Sequence, residues 1–377
     1  MKKNRFDISK LLFLSALFLI EFATFSVNVT FISIYSQKLI NLSLIILASC
    51  FFITIFRQKY NFKTLFVMLS IGLISILSAL NTNDSIMIQL FLITICSLNI
   101  NFDDIIKNDL KFKLLLLIFI YIMQITGNVH IEIFYRDGEI RNAFGFSQPN
   151  TFGFFIISFF FEFLYYKKEK IKYIYAFIFF FLCLYLLNIA SSRSSQISIC
   201  LFMFLYSIHY LKNKKKNVNK SVIQSKRNIY ILKVLFPVFT LISIYLTCEY
   251  ANGNHTMNFI NNILSGRIYL QNIFMNIYDI NIFGNNIFYF DTLDNVYIRT
   301  ILNFGLVVWL LYIYIYWQMF NFANKNNDKL MIIIIIVLLI YGLMEWYIIR
   351  PAINIFLCYF SNILFLKKDR KYIERME

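Results

Sequence analysis

Arginine is the residue most able to do chemistry in every second polar segment between the long apolar runs of this chain. Lysine is the more abundant base overall, yet it is nearly absent from these alternate segments and lies mostly in the polar segments between them. A guanidinium stays charged and offers a planar pair of donors that fits phosphate. The arginines in question are Arg136, Arg141, Arg193, Arg267, Arg299 and Arg350. Their placement predicts a negatively charged ligand that carries phosphate or pyrophosphate.

Two of these arginines lie beside predicted helix starts. Arg141 precedes Pro149, where a helix should begin with Asn150 or Thr151 as its cap. Arg267 follows Ser265, which should cap a short amphipathic helix. A helix N-terminus beside a guanidinium makes a plausible anion site. The alternative is an ordinary loop and cap at the first position, and a purely structural surface helix at the second.

Arg193 lies in the turn Ser191-Ser192-Arg193-Ser194-Ser195, between two apolar runs. A turn this short would place the guanidinium at the membrane surface, where it could bind a pyrophosphate or simply contact a phospholipid headgroup. Any of the arginines could instead snorkel to the interface or pair with a nearby carboxylate.

A possible general base follows the second large polar segment. Asp294 could take a proton from a sugar hydroxyl, with Arg299 about one turn along to tune its charge. Asn295 and Arg299 are further candidate substrate ligands. The alternative, equally open, is that Asp294 or Asn295 only caps the next helix.

The other titratable groups offer weaker candidates. Glu345 and Arg350 flank Trp346 at the end of an apolar run, where a mutual ion pair competes with a functional role. His130 and His255 are most simply solvated loop residues. The histidines and cysteines show no metal-ligand spacing, and no cofactor-binding motif is present, so we expect neither a metal nor a cofactor.

Composition defines the elements that must position these residues. The 377 residues are 59% hydrophobic and 15% charged, whereas soluble domains average about 25% charged. The apolar runs have the length of membrane helices rather than barrel strands. The net charge of +16 is explained by lysine and arginine in cytoplasmic loops, so we predict no nucleic-acid partner.

The apolar runs predict about twelve membrane spans in one domain covering residues 1–377. Placing both termini in the cytoplasm puts nearly all lysines inside and only Lys38 outside, as the positive-inside rule requires. The predicted fold is therefore an all-α polytopic helical bundle with two larger extracytoplasmic loops, 128–150 and 249–295. The predicted spans are 11–25, 39–56, 64–80, 86–98, 114–127, 152–166, 173–189, 196–211, 230–248, 296–320, 330–349 and 352–366.

The ordered motifs of the chain resemble the O-antigen polymerase and O-antigen ligase superfamily, and Wzy-type polysaccharide polymerases in particular. The resemblance begins near Leu114 and covers most of the chain from there onward. It rests on RNAFGFSQPNTFG from Arg141, ASSRSS from Ala190, LSGRIYLQNIF from Leu264, FGNN from Phe283 and LDNVYIRTILNFG from Leu293. Ligases of this family tend to have histidine where this chain has Asp294, which favours a polymerase.

The resemblance implies a metal-independent glycosyltransferase in the bacterial cytoplasmic membrane. It would join undecaprenyl-pyrophosphate-linked oligosaccharide repeats on the outer face, for a capsule, an exopolysaccharide or an O-antigen. Arg141 and Arg267 match the family's expected pyrophosphate ligands, and Arg193 matches a turn arginine. The lipid bilayer, a flippase and a chain-length regulator are the expected partners. A ligase or a transporter of lipid-linked sugars are the alternatives; the near absence of charge within the predicted spans favours an enzyme over a transporter.

Overall fold

The computed structural model describes residues 8–56, 60–98, 100–130, 134–136, 138–168, 171–214, 226–287 and 293–361. The chain is mostly helical. Its first half contains α1 Ile8–Phe25, α2 Thr30–Ser33, α3 Ser36–Phe56, α4 Phe62–Thr82, α5 Ile86–Cys96, α6 Phe102–Ile125, α7 Pro149–Lys167, α8 Tyr173–Ile189 and α9 Arg193–Lys214. The second half contains α10 Lys226–Lys233, α11 Leu235–Ala251, α12 His255–Ile263, α13 Arg267–Ile277, α14 Val296–Arg299, α15 Leu306–Lys325 and α16 Lys329–Tyr341.

Among the described residues, five helical segments are long and apolar enough to cross a membrane, which marks the chain as a helical membrane protein. These segments are Ile8–Phe25, Ser36–Phe56, Thr64–Thr82, Arg193–Leu211 and Leu306–Lys325. The other predicted spans remain predictions. An addition to the predicted all-α fold is a small antiparallel hairpin of β1 Phe134–Arg136 and β2 Glu139–Arg141.

The chain divides into two compact units, which we describe separately. Unit 1 comprises Met1–Met68, Gln89–Ile199 and Pro351–Glu377, and unit 2 comprises Leu69–Ile88 and Cys200–Arg350. The organisation as one membrane domain stays a prediction.

In unit 1, α1 packs against α3 and α6, and α7 packs against α6 and α8. The segment 99–113, which the sequence places in a connection between the predicted spans 86–98 and 114–127, is mostly helical, because α6 begins at Phe102 and runs through it. Asn101 caps the helix by accepting a hydrogen bond from the backbone of Asp103. Asp103 and Asp104 then place negative charge in the first turn, where the helix dipole favours it.

In unit 2, the predicted span 296–320 is not one continuous helix. A π-helical segment, Thr300–Phe304, separates α14 from α15. The break occurs at Gly305, which has φ +93° and lies against the backbone of Gly284. A Cβ atom on Gly305 would lie 2.4 Å from the nitrogen of Gly284, so both positions need glycine. This contact joins the FGNN segment to the NFG segment.

The predicted twelfth span also differs from the structure. Its described part contains a short 3-10 helix, Ile355–Phe360, and residues 362–366 lie outside the described residues. Likewise, α16 ends at Tyr341, and the rest of the predicted eleventh span contains the 3-10 helix Trp346–Ile349. This early end places Glu345 in an irregular segment.

Candidate functional site

Arg267 is the first residue of α13, as the sequence predicts, but its cap is different. The cap is Gly266, with φ +80°, and it makes no side-chain hydrogen bond. The prediction that Ser265 caps the helix is wrong, because the chain turns through two successive left-handed residues, Ser265 and Gly266. Instead, the side chain of Asn261 accepts from the backbone of Tyr269, at 3.0 Å, and ties the end of α12 to the start of α13.

The Arg267 side chain lies between two carboxylates. Its Nη2 atom donates to Glu345, and its Nε atom lies 3.4 Å from Asp294 Oδ2. The Glu345 side chain is 1% exposed and that of Asp294 is 17% exposed. Among the described residues, no partner contacts Nη1, so one edge of the guanidinium keeps its donors for a ligand.

The apolar packing of unit 2 brings Asp294 to Arg267. Leu293 and Ile298, on either side of the Asp294 region, share a buried cluster with Phe274 of α13. Helix α11 packs against both α13 and α14. This packing joins residues that lie 27 positions apart in the chain.

Asn295 has a structural role in this arrangement. Its side chain accepts from the backbones of Tyr297 and Ile298, and so caps α14. Its amide nitrogen donates to Ser243 on α11 and to the carbonyl of Leu343. The sequence alternative that Asn295 caps this helix is what the structure shows. Its role as a substrate ligand stays a prediction.

Arg299 and Arg350 share one aromatic partner. The Arg299 guanidinium carbon lies 3.5 Å from the centre of the Trp346 ring, and that of Arg350 lies 4.9 Å from it. Arg299 also donates to the carbonyl of Leu293, at 3.3 Å. Arg299 was predicted to tune the charge of Asp294, but Arg267 is the arginine that contacts this carboxylate. Glu345 forms its ion pair with Arg267, whereas the sequence suggested Arg350 as its partner.

The pKa of Arg267 follows from its position between the two carboxylates. Burial on its own lowers the pKa of the guanidinium, but the charges of Glu345 and Asp294 outweigh it and raise that pKa above the ordinary value. Arg267 therefore keeps its charge at every accessible pH. Arg350 shows the opposite balance, because burial lowers its pKa and the nearby Arg299 acts in the same direction.

In unit 1, Arg141 contacts the first turn of α7. Its Nη2 atom donates to Asn150 Oδ1 at 2.8 Å. The helix begins at Pro149, as predicted, but its cap is Gln148, so the prediction that Asn150 or Thr151 caps it is wrong. Extended backbone at the residue before proline explains this, because that residue avoids helical angles. Asn150 is thus a hydrogen-bond partner of Arg141, and its role as a pyrophosphate ligand stays a prediction.

Arg193 begins α9 and is exposed. Its turn packs against α7 at Gly153, where a Cβ atom would lie 2.3 Å from Ser192 Oγ and 2.4 Å from Ser195 Oγ. Because Asn150 and Gly153 are one helical turn apart, the Arg141 contact and the Arg193 turn meet the same end of α7. The sequence motifs that carry these arginines are therefore neighbours within unit 1.

Several sequence candidates remain without a described role. His130 and His255 are both exposed. The described residues contain no group of histidine, cysteine, aspartate and glutamate side chains that could hold a metal ion.

Sequence reasoning missed a group of buried charges in unit 1. Lys113, predicted to lie at the end of a polar loop, is fully buried with Asp109, Glu162 and Glu21. The expectation that the spans are nearly free of charge is therefore wrong. The spacing of Asp109 and Lys113, one helical turn apart, was the local signal, since such pairs share a helix face.

Comparisons with known proteins identified no relative of this chain. A scan against protein-family models and searches of curated proteins and solved structures found no match to this chain.

Proposed function

We propose that the protein is a polysaccharide polymerase that joins oligosaccharide repeats carried on undecaprenyl pyrophosphate. The observation that carries this proposal is the buried Arg267, held between Asp294 and Glu345 with the Nη1 edge of its guanidinium open. A guanidinium fixed in this way suits a pyrophosphate, since both of its donor hydrogens point in a set direction.

The charge of the cluster suits an anionic leaving group. Arg267 pairs with Asp294 and Glu345, while Arg299 and Arg350 lie against Trp346 and the charge of Asp84 acts on Arg350. These three arginines and three carboxylates balance when all six are ionised, so the cluster can accept an added negative charge at the open edge of Arg267. A pyrophosphate that gains charge as its bond breaks would be stabilised most at that moment.

The reaction follows from these roles. A hydroxyl oxygen of the acceptor repeat attacks the anomeric carbon of the donor, and the bond from that carbon to the pyrophosphate oxygen breaks. The leaving pyrophosphate keeps the electron pair and is held by Arg267. Asp294, which is partly exposed beside Arg267, accepts the hydroxyl proton as general base. No metal ion is needed for this balance.

The positive-inside pattern supports a finer topology for the same proposal. We place both termini in the cytoplasm, with about twelve spans and the two large polar loops on the outer face of a bacterial cytoplasmic membrane. The protein would then meet lipid-linked repeats delivered by a flippase, and a chain-length regulator would act on its product. A ligase would use the same chemistry with a different acceptor.

One observation favours a second candidate, a transporter of lipid-linked oligosaccharides. The buried group of Lys113, Asp109, Glu162 and Glu21 is the kind of intramembrane charge that transporters use. The two functions differ in their products, because a transporter moves the repeat without forming a glycosidic bond.

The proposal is tested with purified protein and lipid-linked repeats, with products separated on a gel. We expect a ladder of polymer from the natural protein, and none from Arg267→Ala. Arg267→Lys should also be severely impaired, because an ammonium cannot reproduce the planar pair of donors. Lys38→Ala, which removes an exposed basic residue, should leave the ladder unchanged. A normal ladder from Arg267→Ala would refute the proposed role of this cluster.

A further inference from the structure

A second group of ionisable side chains lies deep inside unit 1, apart from the residues of the proposed reaction. Glu21 comes from α1, Asp109 and Lys113 from α6, and Glu162 from α7. All four residues are 0% exposed. Three helices therefore bring three carboxyl groups and one ammonium group to one buried place.

Lys113 is the centre of this group. Its Nζ atom contacts Glu162 Oε1 directly and lies 2.8 Å from Asp109 Oδ2 and 3.9 Å from Glu21 Oε1. It also donates to Ser158 Oγ at 2.9 Å, and that hydroxyl donates to Glu162 Oε1 at 2.6 Å. One oxygen of Glu162 thus accepts two hydrogen bonds, one from Lys113 and one from Ser158.

The charges of this group do not balance when every member is ionised. Three carboxylates and one ammonium give a net charge of −2 in a place that water does not reach. Moving even one uncompensated ion into such an environment costs several kcal/mol. The group becomes neutral when two of its three carboxyl groups carry a proton.

The contacts among the carboxyl groups indicate that the protons lie between them. Within the described part of the chain, neither oxygen of Glu21 has a hydrogen-bond donor, whereas Asp109 Oδ2 lies 2.8 Å from the Lys113 ammonium. The side chains of Glu21 and Asp109 nevertheless lie within hydrogen-bonding range of each other, and Asp109 is also within range of Glu162. Two carboxylates repel at such a distance, whereas a protonated carboxyl donates to its neighbour.

We infer that this group is a proton-binding site, which holds two protons among the carboxyl groups of Glu21, Asp109 and Glu162 at neutral pH, so that one carboxylate remains to balance Lys113. Each proton comes from water when unit 1 folds, and no other co-reactant is required. Another titratable group near Asp109 and Glu21 is the Cys358 thiol, from the 3-10 helix Ile355–Phe360. A thiol that keeps its proton leaves the charge balance unchanged.

The site has a consequence for the packing of three helices. Glu21, Asp109 and Glu162 each come from a different helix, so loss of the two protons would place like charges between α1, α6 and α7. Bound protons are thus a condition for close packing of these helices. The inference does not depend on the proposed polymerase reaction, since none of its residues takes part in that reaction.

Infrared spectroscopy of the purified full-length protein tests this site, because the C=O stretch of a protonated carboxyl group is separate from the carboxylate band. At neutral pH we expect Glu21→Gln to remove the signal of one protonated carboxyl group, and Glu21→Gln with Asp109→Asn to remove two. Glutamine and asparagine resemble the protonated acids in shape, so these variants should fold. Asp103→Asn, at an exposed carboxylate paired with Lys168, is the matched control and should remove no such signal.

Lys113→Met should change the protonated-carboxyl signal in the opposite direction. Without the ammonium, the one remaining carboxylate of the group has no compensating charge, so we expect a gain of one protonated carboxyl group. The inference is overturned if Glu21→Gln and the double variant leave the protonated-carboxyl signal unchanged. It is equally overturned if Lys113→Met folds but gains no such signal.

Discussion

Replacing Arg267 by glutamine should separate the structural role of this residue from its chemical role. The change removes the Arg267 guanidinium from Glu345, whose side chain is only 1% exposed. Breaking a buried ion pair by removing one partner costs about 3–5 kcal/mol, because the remaining charge is uncompensated. We expect Arg267→Gln to lower the free energy of unfolding by this amount.

A second substitution removes the charge of Glu345. In Arg267→Gln with Glu345→Gln, two neutral amides replace the ion pair, and we expect most of the lost stability to return, with a deficit of about 1 kcal/mol. Denaturant unfolding of the natural protein, both single variants and the double variant gives the coupling energy between the two side chains. The same four proteins are then assayed for chain extension on lipid-linked repeats.

We expect the double variant to be stable and inactive. Its stability would show that the fold is intact, and its inactivity would show that the guanidinium is needed for the reaction. Polymerisation at the natural rate by the double variant would refute the catalytic role of Arg267. An Arg267→Gln protein as stable as the natural one would refute the buried ion pair.

Three further predictions follow from particular residues. Arg141→Ala and Arg141→Lys should each shorten or abolish the polymer, because neither keeps the planar donors of the guanidinium. Polymer length and protein level are measured on membrane extracts, and ordinary polymer length in both variants would contradict pyrophosphate binding by Arg141. Gly305→Ala should lower the free energy of unfolding by more than about 3 kcal/mol. The control Gly253→Ala, with positive φ but no atom within 4 Å of the added Cβ, should lower it by about 1–2 kcal/mol. Equal losses of the two variants in denaturant unfolding would contradict the clash of a Gly305 Cβ atom with the Gly284 backbone. Between about pH 6 and pH 8 the buried group around Lys113 should hold two protons on its three carboxyl groups, and the unfolded chain releases such protons above about pH 4–5. The free energy of unfolding should therefore fall by up to about 2.7 kcal/mol per pH unit as pH rises, and a pH-independent value would contradict the site.

The sequence predicts those elements that depend on local pattern. Tyr173–Ile189 is an uninterrupted apolar run, and the helix has the predicted bounds. The start of α7 at Pro149 follows from the fixed φ of proline. The helix after Gly266 follows from the spacing of Ile268 and Phe274, which are both buried.

Such local patterns do not predict contacts between distant segments of the chain. Arg267 and Glu345 lie 78 positions apart, and Lys113 and Glu162 lie 49 apart. Nothing in the local spacing of these residues identifies the partner, because the contact is created by helix packing. Asp294 shows the same limit, since its neighbour Arg299 was the expected partner and the structure pairs it with Arg267.

The polymerase proposal is tested most directly by following both products of the reaction in vesicles. Purified protein is reconstituted with lipid-linked repeats, and the polymer and the released undecaprenyl pyrophosphate are measured together. We predict one undecaprenyl pyrophosphate released for each new linkage, with both products lost in Arg267→Ala. Movement of intact repeats across the bilayer, with neither linkage nor release, would contradict the polymerase and support a transporter.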